Sequence, residues 1–155
     1  MDTSPPRPPS ILLFERLYLA ALAISIVTVA LHWSVEVSAM MARPDFARVA
    51  QAARFVPALY WILHVVIWAA WVLIWYLVAR RGSKVARIVA AIGALISAYD
   101  GIDVLLAMLG GPLAGWFPVA VVAEAALLVA AVAMLFRADA RPWFAPGADA
   151  AVEPV

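Results

Sequence analysis

The chain reads as all-α and membrane-embedded: a four-helix antiparallel bundle with both termini cytoplasmic. Three observations predict this. Of 155 residues, 67% are hydrophobic and 14% charged, with a mean hydropathy of +0.98; a soluble domain uses roughly 25% charged residues to cover its surface. The apolar residues gather in four stretches, Ile11–Leu31, Val56–Ala79, Ile88–Leu109 and Ala114–Phe136. Each has the ~20 residues or more that a helix rising 1.5 Å per residue needs to cross ~30 Å of hydrocarbon. Strict alternation is absent, and an open sheet would leave its backbone polar groups unsatisfied in lipid.

Each boundary has a local cause. Residues 1–10 are proline-rich and aperiodic, which predicts a disordered tail, with Ser10 able to cap the first helix. The first stretch is longer than the ~7–15 residues of a signal-peptide core, so it is read as retained despite Val37-Ser38-Ala39. Pro57 suits the first turn of the second helix, where its missing N–H does no harm. Gly82-Ser83 separates the second and third stretches, and Gly110-Gly111-Pro112 ends the third in a tight turn. Residues 137–155, rich in Pro, Ala and Asp, predict a second disordered tail. In the long loop Trp33–Phe55, Pro44-Asp45 starts a short amphipathic helix. Phe46, Val49, Ala50 and Ala53 share one face, and Arg48, Gln51 and Arg54 the other.

Lys and Arg orient the bundle. Arg7, Arg16, Arg80, Arg81, Lys84, Arg87, Arg137 and Arg141 fall on one side, and only Arg43, Arg48 and Arg54 on the other. The richer side is expected to be cytoplasmic.

Three segments carry a resemblance. They are Arg7-Pro8-Pro9-Ser10 with Phe14-Glu15-Arg16-Leu17-Tyr18-Leu19, then Ala79-Arg80-Arg81-Gly82-Ser83-Lys84-Val85-Ala86, then Leu135-Phe136-Arg137-Ala138-Asp139-Ala140-Arg141-Pro142-Trp143-Phe144. In these the chain resembles small, uncharacterised four-helix inner-membrane proteins of proteobacteria. The resemblance implies the same topology in a bacterial cytoplasmic membrane, and it brings no activity, cofactor or catalytic residue.

Polar residues inside the stretches are the candidates for function. Counting from the basic side at 1.5 Å per residue, Asp100 and Glu124 lie at ~18 Å, Asp103 and His64 at ~22 Å, and Ser25 and Thr28 at ~21 and ~25 Å. No Lys or Arg shares that layer. Carboxylates at such depth are expensive unless protonated, hydrated or paired, so Asp100, Asp103, Glu124 and His64 form a candidate proton or cation cluster. The competing reading makes the layer polar glue, and a third lets Asp100 and Asp103 surface in water. Gly93, Ser97 and Gly101 form a small-xxx-small ladder expected to pack against another helix.

On the second helix Trp61, His64, Trp68, Trp71 and Trp75 recur every three or four residues and share a face. That stripe is ordinary packing, or a surface on which a flat apolar ligand could stack. His32 and His64 are the only histidines, and a depth offset of ~9 Å argues against a shared haem. Glu15-Arg16 suits a helix start at a headgroup boundary.

Cysteine is absent, which excludes disulfides and thiolate chemistry, and no phosphate loop, catalytic triad or metal-ligand spacing is present. No cofactor or metal is expected. The expected partners are the bilayer and a second copy or another membrane protein, with no nucleic acid, since the net charge is only +1. The leading expectation is a non-enzymatic packing or accessory subunit, and the alternative a proton- or cation-coupled transporter or channel component.

Overall fold

A computed structural model describes residues 7–43, 52–111 and 115–145. Four α-helices, α1 Pro9–Met41, α2 Ala52–Ala79, α3 Lys84–Leu109 and α4 Trp116–Met134, are followed by a 3₁₀ helix, Ala138–Phe144. All four α-helices are long and apolar enough to cross a membrane, and no strand occurs among the described residues. The amphipathic loop helix expected near Pro44–Gln51 lies outside the described residues.

The helices pack as a ring in chain order. The α1–α4 and α3–α4 seams are the most extensive, α1–α2 is intermediate and α2–α3 is slight. Between helices in lipid, apolar burial gains little from excluding water, so close packing of side chains must supply the attraction. Small residues let the backbones approach: Ala86, Ala90, Ala94 and Gly101 are the buried positions of α3. A methyl group built at Gly101 would stand 2.6 Å from the Ala125 methyl of α4, while one at Gly93 would meet nothing within 4 Å. The close-packed stripe is therefore the alanine register ending at Gly101, not the expected Gly93–Ser97–Gly101 ladder. Gly93 lies about 80° around the helix from Gly101.

The packed core sits toward the basic end, around Ile11, Phe14, Val78, Leu128 and Leu135, all at most 2% exposed. A smaller cluster at the far end joins Val37 to Val56 and Tyr60, with Trp33, Met41 and Trp61 against it. This cluster explains why α1 runs ten residues beyond the expected Leu31. At 33 residues it is ~50 Å long, so it outruns the hydrocarbon and packs on the start of α2. There α2 itself begins four residues before the expected Val56.

The C-terminal segment also departs from expectation. Instead of a disordered tail from 137 on, residues 138–144 fold across the basic end of the bundle as a strap. The Trp143 indole N–H donates to the Val78 carbonyl at 2.9 Å, and the Ser83 N–H donates to the Leu77 carbonyl at 3.0 Å. Two of the carbonyls left open at the end of α2 are thereby satisfied. Gly82 turns the chain with φ +59°, and any Cβ there would collide with the Trp143 carbonyl. Phe144 is 3% exposed and Ala140 fully buried.

Candidate functional site: the polar layer and its surroundings

Glu124 is half-buried on α4, with Ser25 of α1 near its carboxyl. Thr28, one turn further along α1, is 5% exposed. Glu124, Ser25 and Thr28 therefore belong to the seam of the two most extensively packed helices. That is the arrangement expected of polar groups used to hold helices together in lipid.

Asp100 and Asp103 are placed differently. Both are exposed. Relative to Gly101, which marks the α4-facing side of α3, they are turned about 100° and about 160° around the helix. Neither takes part in a hydrogen bond or ion pair among the described residues. Residues equal in depth thus differ in direction, with Glu124 turned to the α1 seam and Asp103 outward. Among the described residues no group of three His, Asp or Glu side chains comes together to hold a metal ion.

His64 is half-buried, and its Nδ1 lies 2.8 Å from the Tyr60 carbonyl. A carbonyl only accepts, so Nδ1 carries the proton and Nε2 remains available. The ring also stacks obliquely on Tyr60 at 4.2 Å and faces Trp68 at 5.8 Å.

The tryptophan stripe of α2 is matched along the α1 seam by the chain's own aromatics. Trp61 meets Trp33 at 6.1 Å and Trp68 at 6.4 Å. Trp71 meets Tyr18 at 5.8 Å, and the Tyr18 hydroxyl donates to the Trp71 carbonyl at 3.2 Å. Trp75 lies under the Arg80 guanidinium at 5.7 Å. Much of the surface considered for a flat ligand is therefore already spent on α1 and on Arg80.

Sequence reasoning missed the polar clasp at the basic end. Glu15, 16% exposed, accepts from Arg7 at 2.8 Å and from Arg80 at 3.1 Å. One carboxylate thus ties the segment preceding α1 to the turn after α2. The strap adds a second tie, in which the Ser10 N–H donates to the Asp139 carboxylate at 3.1 Å. The signal available was the isolated acid at position 15 in a run with arginines at 7, 16, 80 and 81. Its partners are set by tertiary structure alone.

At the far end His32 packs against α4. Its ring stacks on Phe117 of α4 at 3.8 Å and 19°, stands edge-on to Trp116 at 6.1 Å, and lies 3.9 Å from Glu36. His32 and His64 thus have separate sets of neighbours. No family model, no curated protein and no solved structure matches the chain.

Proposed function

We propose that this multi-pass membrane protein is a non-enzymatic packing or accessory subunit, seated in a bacterial cytoplasmic membrane with its basic end inside. In this reading it associates with a second copy or another membrane protein through the α3 face that carries Asp100 and Asp103. One observation supports it above the rest: both acids are exposed within a membrane-length helix and have no partner among the described residues. An aspartate near mid-bilayer costs about 2.5 kcal/mol or more on insertion scales. A hydroxyl, amide or basic group on a neighbouring helix offsets that cost by hydrogen bonding. The same face presents Tyr99 and Ile96, 73% and 60% exposed, apolar surface on which a helix can pack around the acids.

The test is the mass of the particle extracted from the membrane in lipid nanodiscs. The wild type is expected to be larger than one chain, and Asp100→Ala with Asp103→Ala is expected to shift it toward a single chain. A single-chain wild type overturns the reading.

A second reading is proton- or cation-coupled transport through a layer of Asp100, Asp103, Glu124 and His64, with the half-buried Glu124 as its interior acid. Proton and monovalent-cation flux in vesicles, lost in Glu124→Gln and Asp100→Asn, distinguishes it. Absence of flux in the wild type removes it.

A further inference from the structure

A groove of about 400 Å³ runs between α3 and α4. Its walls are apolar and mostly small, with Ala98, Gly101 and Leu105 on α3 and Val122, Ala126 and Ala133 on α4 among them. Gly101 lines it where α3 comes close to the Ala125 methyl of α4. On α4 the groove extends from Val122 to Ala133, ~17 Å along the axis. This is about the depth of one leaflet, half of a ~30 Å core.

The face continues toward the basic end. Counting ~100° per residue, Arg87 and Lys84 fall on the same side of α3 as Leu105 and Ile102, and Phe136 follows Ala133 by one turn. The Arg87 guanidinium is held over Phe144 at 4.7 Å and Phe136 at 5.2 Å. Its Nε is buried with no hydrogen-bond partner. Among the described residues neither Arg87 nor Lys84 is paired with a carboxylate, and Lys84 is exposed. Cations without counter-charges among the described residues thus stand at the headgroup end of a groove that begins ~5 Å inward of Phe136 and ends ~21 Å inward.

We propose that this face binds one anionic phospholipid of the leaflet at the basic end. The headgroup phosphate sits at Arg87 and Lys84, and one acyl chain lies in the groove past Gly101. Arginine supplies fixed N–H donors to phosphate oxygens, Lys84 a point charge, and the first turn of α3 the positive end of a helix dipole. The two aromatic rings hold the guanidinium in place, so little of its freedom remains to be lost on binding. The small walls admit a chain where larger side chains would close the groove.

Native mass spectrometry of the purified full chain, loaded with phosphatidylglycerol or phosphatidylcholine of identical acyl chains, tests the site. One phosphatidylglycerol should be retained in preference to phosphatidylcholine. Lys84→Ala should lower that preference roughly fivefold, the effect of one cation near a lipid surface. Arg87→Gln should lower it further, and because that change also touches the strap, Lys84→Ala carries the electrostatic arm alone. Ala130→Phe, filling the groove, should reduce retention of both lipids. Arg16→Ala, an exposed arginine on α1, should change nothing. Soluble glycerol phosphate should not compete, since it lacks the chain. Equal retention of both lipids, an equal effect of Arg16→Ala, or competition by glycerol phosphate would overturn the proposal. So would a lipid-free second copy seated on this face.

Discussion

The Asp139 carboxylate, beyond the last span, accepts a hydrogen bond at 3.1 Å from the backbone N–H of Ser10, 129 positions earlier in the first turn of α1. It occupies the place of an N-cap, provided from a distant part of the chain: the residue before the helix is Pro8, whose ring carries no hydrogen-bond acceptor. The strap is therefore part of the bundle, and its contacts make separable predictions.

The first concerns pH. The Asp139 carboxyl is held below the ordinary carboxylate range. Desolvation opposes this, and the Ser10 N–H, the residue's own N–H and the charge of Arg137 outweigh it. A depressed folded value means the contact stabilises the fold above the ordinary carboxylate pKa and loses that contribution as pH falls through the folded value. The melting-temperature gap between wild type and Asp139→Asn should stay constant from neutral pH to about 4 and close below it. A gap that widens on acidification would contradict the assignment.

Trp143→Phe keeps an aromatic ring on the strap but removes the donor to the Val78 carbonyl. A loss of about 1 kcal/mol is expected in a reversible detergent unfolding assay. Trp143→Ala should cost more, because the ring is lost as well. Equal stability of Trp143→Phe and wild type would show that the hydrogen bond contributes nothing.

Glu15→Gln removes the charge that Arg7 and Arg80 share. Both arginines are partly solvated, at 30% and 43% exposure, so screening keeps the expected loss to about 1 kcal/mol. Glu15→Gln combined with Arg80→Gln should cost less than the sum of the two single changes. Strict additivity would mean that the pair is not coupled.

Gly101→Ala should destabilise the bundle by about 1–3 kcal/mol, because the new methyl must displace α3 from Ala125. Gly93→Ala, with open space around it, should be neutral or slightly stabilising, as alanine favours the helix. Thermal unfolding of the two variants in one detergent checks the contrast, and equal losses would place Gly93 in a contact as well.

These contrasts show what could be read from the chain. The four spans were legible because an apolar run must be long to cross a membrane, and Gly82-Ser83 and Gly110-Gly111 punctuate them. The continuation of α1 through His32–Met41 was not, since its support comes from Val56 and Tyr60 on another helix. The strap was hidden for the same reason, as Ala138–Phe144 looks like a polar tail until Arg87 and Val78 are brought beside it. Depth along each helix follows from counting residues. Rotation about each helix axis depends on which small-residue register packs, and α3 offers several. That is why the close approach of Gly101 to Ala125, the open space at Gly93 and the different directions of Asp100 and Glu124 were not legible in the chain.

What lies against Asp100 and Asp103 in the membrane decides the proposed role. The direct measurement places a photoreactive phenylalanine analogue at the exposed Tyr99, on the same face, and cross-links in native membranes. A discrete protein adduct is expected, with a second copy or one other membrane protein, whose yield falls when Asp100 and Asp103 are both changed to Ala. Adducts with lipid alone, or a protein adduct indifferent to the two acids, would contradict it.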